Sequence, residues 1–142
     1  MDRVAAAIVT RWTSQALGTS FPGGIFVDMA PRDTDFPYVI LRMREESPKI
    51  VIQDLEMPAF RASFDVYYQE DGSTDPVSSL GTLMRSLTAA YDWAPLVYTG
   101  RSNYEVRRGT QRTMLLDVDR RIWLGQVDYV ITTQRSVTCS PA

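Results

Sequence analysis

Histidine is absent from the 142 residues, and cysteine occurs once, as Cys139. The first absence removes the commonest general base and the commonest metal ligand together. The second excludes a disulfide framework or a zinc thiolate cluster within one chain. Cys139 lies near the end of the sequence with no base beside it, which favours a surface thiol over a nucleophile. No run approaches the ~20 apolar residues of a membrane span. The opening MDRVAAAIVTRWT carries an acid at position 2 and places Arg11 and Trp12 within its apolar stretch. It reads poorly as a signal peptide and points to production in the cytoplasm. No phosphate-binding glycine loop and no dinucleotide glycine pattern occurs. Repeats and low-complexity segments are missing as well.

What is present is ordinary for a soluble domain: 44% hydrophobic and 23% charged residues. The length suits one domain, burying roughly two-thirds of its unfolded surface. We expect that domain to span residues 1–134, with a polar tail at 135–142. Its clearest stretch is residues 60–91. Phe60, Ala62, Phe64, Val66 and Tyr68 alternate with Arg61, Ser63, Asp65, Tyr67 and Gln69, a one-faced strand. Asp75-Pro76 then opens a helix, Asp as cap and Pro where no N–H is needed. Val77, Leu80, Leu83, Met84, Leu87 and Tyr91 give that helix one apolar stripe.

An earlier helix fits residues 2–17, with Asp2 as N-cap, Ala5, Ile8, Val9, Trp12 and Ala16 on one side, and Gly18 to end it. Short strands fit residues 25–27 and 38–44. Residues 45–58 form either a long hairpin tip or a small extra hairpin. Leu96, Val97 and Tyr98 make a possible short strand, 99–103 a loop, and 104–112 shows no steady period. Residues 114–118 are strand-like, and Trp123, Val127, Tyr129 and Ile131 share one parity. Gly125 among them marks a bulge or a close packing contact. The order α-β-β-β-α-β-β implies an α+β fold: an antiparallel sheet with both helices on one face.

Charge is distributed unevenly behind a net −2. Residues 1–44 hold five bases and four acids, 45–92 three bases and nine acids, and 93–142 seven bases and four acids. An acidic middle and a basic end allow one copy to attract another, though dispersed solvated charge would give the same counts. Asp117 and Asp119 could hold a hard cation with a third oxygen donor, but two acids around a turn are commonplace. Glu45 and Glu46 are adjacent, so in a strand they point to opposite faces and make no acid/base pair. Ser78, Ser79 and Ser86 have no base in reach. No catalytic constellation emerges and no cofactor is implied. Arg101, Arg107, Arg108, Arg112, Arg120 and Arg121 could suggest nucleic acid, but a pI near 5.1 argues against it. They fit better as partners for acids on another subunit. Tyr67, Leu124 and Val130 lie off the main apolar parity, so the second side of the sheet could carry patches that another chain buries.

The helix, the short strand, Phe36-Pro37-Tyr38-Val39-Ile40, the strand from Ala62 to Tyr67 and the closing Asp128-Tyr129-Val130-Ile131 resemble, in that order, the tail-completion or tail-terminator proteins of long-tailed bacteriophages and gene-transfer agents. The resemblance covers residues 1–134 and rests on the "PYVI" and "SFDVYY" strands. It implies a non-enzymatic virion subunit that closes into a homo-oligomeric ring, a hexamer, at the head–tail interface. Such a ring caps the tail-tube protein and meets the head–tail connector protein, while DNA passes through without specific binding and no membrane is involved. Glu45, Glu46, Asp54 and Glu56 are then expected near the lumen or the tube-facing rim, and the six arginines at the subunit interface. A stopper or adaptor of the connector would share ring symmetry, whereas a small-ligand-binding domain would be a monomer or dimer with a deep polar pocket.

Overall fold

The computed structural model describes residues 2–52, 55–72, 75–97 and 102–136. Helix α1 (Asp2–Ser14) turns Val4, Ala7, Ile8 and Trp12 inward at three- and four-residue spacing. Asp2, expected at the N-cap position, is the first residue of the helix. The chain leaves α1 at Ala16, whose φ of 53° is left-handed, and Gly18 falls within a following 3-10 turn, Leu17–Thr19. Ala16 therefore occupies the position expected of Gly18, because burial of Leu17 draws the exit two residues earlier.

Strands β1 (Gly24–Val27), β2 (Tyr38–Ile52) and β3 (Leu55–Gln69) precede α2 (Pro76–Tyr91), and β4 (Ser102–Asp117) and β5 (Ile122–Ser136) follow it. They form one five-stranded sheet in the order β1-β2-β3-β5-β4. Three of its pairings are antiparallel; β1 and β2 run parallel. The expected wholly antiparallel sheet is thus mixed at one edge. The ten residues between β1 and β2 carry the chain back to its starting level, so the second strand repeats the direction of the first. Gly23 makes that return possible. A Cβ there would lie 1.9 Å from the Asp35 carbonyl oxygen, and its N–H donates to the Pro37 carbonyl at 3.1 Å.

Both helices cover the same face. Residues Val39, Leu41, Phe60, Ala62, Phe64, Val66, Val106, Val127, Tyr129 and Ile131 share one core with α1 and α2. Phe64 meets Tyr91 of α2 at 4.8 Å and Tyr129 of β5 edge-on at 5.8 Å. The Tyr91 hydroxyl donates to the Ile8 carbonyl at 2.7 Å, and Arg11 Nε donates to the Ala90 carbonyl at 2.8 Å, which ties the helices together. Asp75 caps α2 as expected, accepting from the Val77 N–H at 3.2 Å.

One segment takes one of its two expected forms, and a second is more ordered than its sequence suggests. Residues 45–52 and 55–58 continue the β2–β3 hairpin as paired arms, the long-hairpin alternative of the two expected, with an irregularity between Glu46 and Ile50. Residues 102–112 belong to β4, where both a loop and an aperiodic run were expected. Three register shifts along β4 break its alternation, and it lies at the sheet edge with residues 107–116 exposed. Apolar periodicity has no burial to follow there. Leu96 and Val97 are not in a strand, and Tyr98 lies outside the described residues. β5 runs on to Ser136, paired with Leu55.

Gly125 is a close contact. A Cβ there would lie 2.7 Å from Met84 Sδ and 3.2 Å from Leu80 Cδ1. Gly125→Val should destabilise the fold by about 1–3 kcal/mol through overpacking, read as a lower urea midpoint with an unchanged slope.

Candidate interaction surface

Burial of odd positions on β2 and even positions on β3 sends the intervening residues to the sheet's other face, which the described helices do not cover. At its centre lies a concave area of about 580 Å³ lined by Arg42, Arg44, Arg61, Asp65, Arg112 and Asp128, among others. Asp65 is only 1% exposed although it sits on this face. Its carboxylate faces Arg42 Nη1 at 3.3 Å and accepts from Gln126 Nε2 at 2.9 Å. Gln126 in turn accepts from Arg112 Nε. Asp65 is thereby satisfied from both neighbouring strands, which is what a buried carboxylate requires.

A second cluster adjoins it. Arg61 donates to both oxygens of Glu46, at 3.1 and 3.2 Å, in a two-pronged pair. Arg61 Nη1 also lies 3.6 Å from Asp128, which accepts from the Thr110 hydroxyl at 3.2 Å. The hydrogen bond from Arg61 holds the Glu46 carboxyl below its ordinary pKa. Toward the β4–β5 turn the face becomes aromatic. Tyr38 and Tyr67 stack at 5.0 Å, and Phe36 packs on Tyr38 at 5.3 Å. Burial is the main cause of the raised pKa of Tyr38. These rings line a second hollow of about 480 Å³ with Leu116, Ile122, Arg32 and Arg120.

The residues singled out in the sequence fall in three places. Glu45 and Glu46 sit together on β2; Glu56 lies across the hairpin, its backbone opposite Val51, and Asp54 is outside the described residues. Arg107, Arg108 and Arg112 lie together on the edge strand β4. Arg120 and Arg121 lie in the β4–β5 turn at its far end, and Arg101 is outside the described residues. Arg108 reaches Asp92 at 3.5 Å, Arg107 reaches Glu105 at 3.7 Å and Arg121 reaches Glu70 at 2.9 Å. Tyr67 and Leu124 face each other across β3 and β5 on the open face, and Val130 faces Arg61. The Asp65–Gln126–Arg112 chain was not foreseen. Alternation placed Asp65 on the wet side, but only strand pairing brings Arg42 and Gln126 to it. Among the described residues no group of three or more His, Cys, Asp or Glu could hold a metal ion, and no helix is long and apolar enough to cross a membrane.

No family model and no curated protein matches this sequence. Among solved structures, a chain from the "Virion of native gene transfer agent (GTA) particle" superposes with a TM-score of 0.73 at 12% identity. The superposition covers 91% of this chain and 92% of that one, a likeness of fold over nearly the whole of both.

The Glu46–Arg61 pair makes a pH-dependent contribution of definite sign. A carboxyl whose folded pKa lies below its unfolded value stabilises the fold above the unfolded pKa, and that stability disappears as pH falls through the folded pKa. Glu46→Gln should therefore flatten the acid limb of a melting-temperature profile below about pH 5, most visibly at low salt.

Proposed function

We propose that this protein is a structural component of a tailed-phage or gene-transfer-agent virion, and that it acts as the tail terminator. The observation that carries this reading is the fold likeness to a gene-transfer-agent virion chain over almost the full length of both. The open face supports it as well. Its larger hollow is filled with charges already paired to one another, which suits a surface for assembly more than a pocket for a small ligand. In the proposed role the subunit closes into a hexameric ring, stops growth of the tail-tube protein and presents its other side to the head–tail connector. The acidic hairpin carrying Glu45, Glu46, Asp54 and Glu56 lies toward the rim or lumen, where phosphate repulsion removes the counterion-release gain and lets DNA pass. The arginines of β4 and of the β4–β5 turn serve the contacts between subunits.

Light scattering with negative-stain imaging of the same sample checks the reading. Rings are expected, either alone or on addition of tail-tube protein. Binding to the connector alone would reassign the protein to a stopper or adaptor role. A monomer inert to both would overturn the virion reading.

A further inference from the structure

Two sides of this sheet carry strand edges that no described strand pairs. β4 is the last strand on one side, and residues 107–116 are exposed. On the other side β1 pairs with β2 only over residues 38–41. The outer edge of β2 from Arg42 onward has no described partner strand. Unpaired strand edges are templates for another chain. Both have a regular stretch available: residues 42–46 of β2 end at the Glu46/Ile50 irregularity, and residues 105–108 of β4 lie between two register shifts.

We propose that a second copy of this chain lays its β2 edge against the β4 edge of the first, as an antiparallel head-to-tail junction that extends the sheet from subunit to subunit. Direction favours it. β2, β3, β5 and β4 alternate, so β4 runs opposite to β2, and a neighbour presented in the same orientation pairs antiparallel without being inverted. Two different edges on one subunit make the contact heterologous, as a closed ring requires. The inference rests on the ring reading above and supplies its interface.

Charge selects the register. Arg108 sits opposite Tyr129 and so shares the helix-covered face, whereas Arg107 sits opposite Val130 and shares the open face. Glu45 sits opposite Phe60 on the helix-covered face, and Glu46 opposite Ala59 on the open one. One register therefore places Glu45 across from Arg108 and Glu46 across from Arg107, matching both sign and face. Registers that keep the faces differ by two residues. The shift one way puts Arg44 against Arg107 and Glu46 against Glu105, like charges directly opposed. The shift the other way forms neither pair. The side chains of Arg107 and Arg108 are 64% and 43% exposed, each with guanidinium donors left over from contacts to Glu105 and Asp92.

Directly opposed residues in an antiparallel pair are about 4.5–5.5 Å apart at Cα, within disulfide reach. The test is a chain carrying Glu45→Cys and Arg108→Cys in a Cys139→Ser background, which keeps the Glu46–Arg107 and Glu46–Arg61 pairs. The sample is oxidised gently, with and without tail-tube protein, then run on a non-reducing gel while its mass is followed by light scattering. A ladder of covalent multimers is expected, and a Met43→Cys/Arg108→Cys chain, which reports the like-charge register, should stay unlinked. Assembly without a ladder, or equal ladders from both chains, overturns the junction and leaves the ring reading standing. A chain that stays monomeric and unlinked even with tail-tube protein overturns both.

Discussion

The burial of Phe64 sets the orientation of everything else in this subunit. Its ring is shared by Tyr91 of α2 and Tyr129 of β5, and Tyr91 in turn holds α1 through the Ile8 carbonyl. Because side chains alternate along a strand, fixing Phe64 inward fixes Asp65 outward, and with it the register of Leu41 and Val127 on either side. The apolar face is therefore the cause of the polar one. Burial also raises the pKa values of Tyr91 and Tyr129, the latter with help from its hydrogen bond to Asp92. Both phenols stay protonated at neutral pH and act as fixed donors, Tyr91 tying α2 to α1 and Tyr129 tying β5 to the end of α2.

What the open face carries follows from that constraint. Arginines and acids of β2, β3 and β5 pair there across neighbouring strands, and Arg112 of β4 joins them through Gln126. Such pairs at a half-exposed surface contribute little stability on their own. Their effect is to hold neighbouring strands in register across the open face. Long regular edges are a hazard in a monomer, and bulges at three points along β4 limit how far a neighbour could pair.

The sequence makes the core legible because its signals are local. The alternation from Phe60 to Tyr68 and the stripe from Leu80 to Tyr91 each lie within a dozen residues, and Asp75-Pro76 marks the helix start by chemistry alone. Gly125 reads as either a bulge or a close contact, and Met84 and Leu80 supply the contact. What depends on partner strands was less visible. Among the described side chains of residues 105–112 of β4, Val106 alone is buried, so no period betrays them. The sequence at 45–58 fits either a long hairpin tip or a small extra hairpin, and the pairing of Glu45, Glu46 and residues 50–52 with β3 selects the former. The parallel β1–β2 edge depends on the close approach of Gly23 to Asp35, which no pattern encodes. The acidic and basic sets were visible as charge, and the structure adds the faces on which Glu45, Glu46, Arg107 and Arg108 lie.

The most direct measurement is backbone hydrogen exchange of the free subunit compared with its assembled state. Assembly through the sheet edges should slow exchange at residues 107–108 of β4 and 45–46 of β2 while leaving Ser63 and Asp65, already paired on both sides, unchanged. Protection that appears on the helices instead, with both edges exchanging as before, would contradict it.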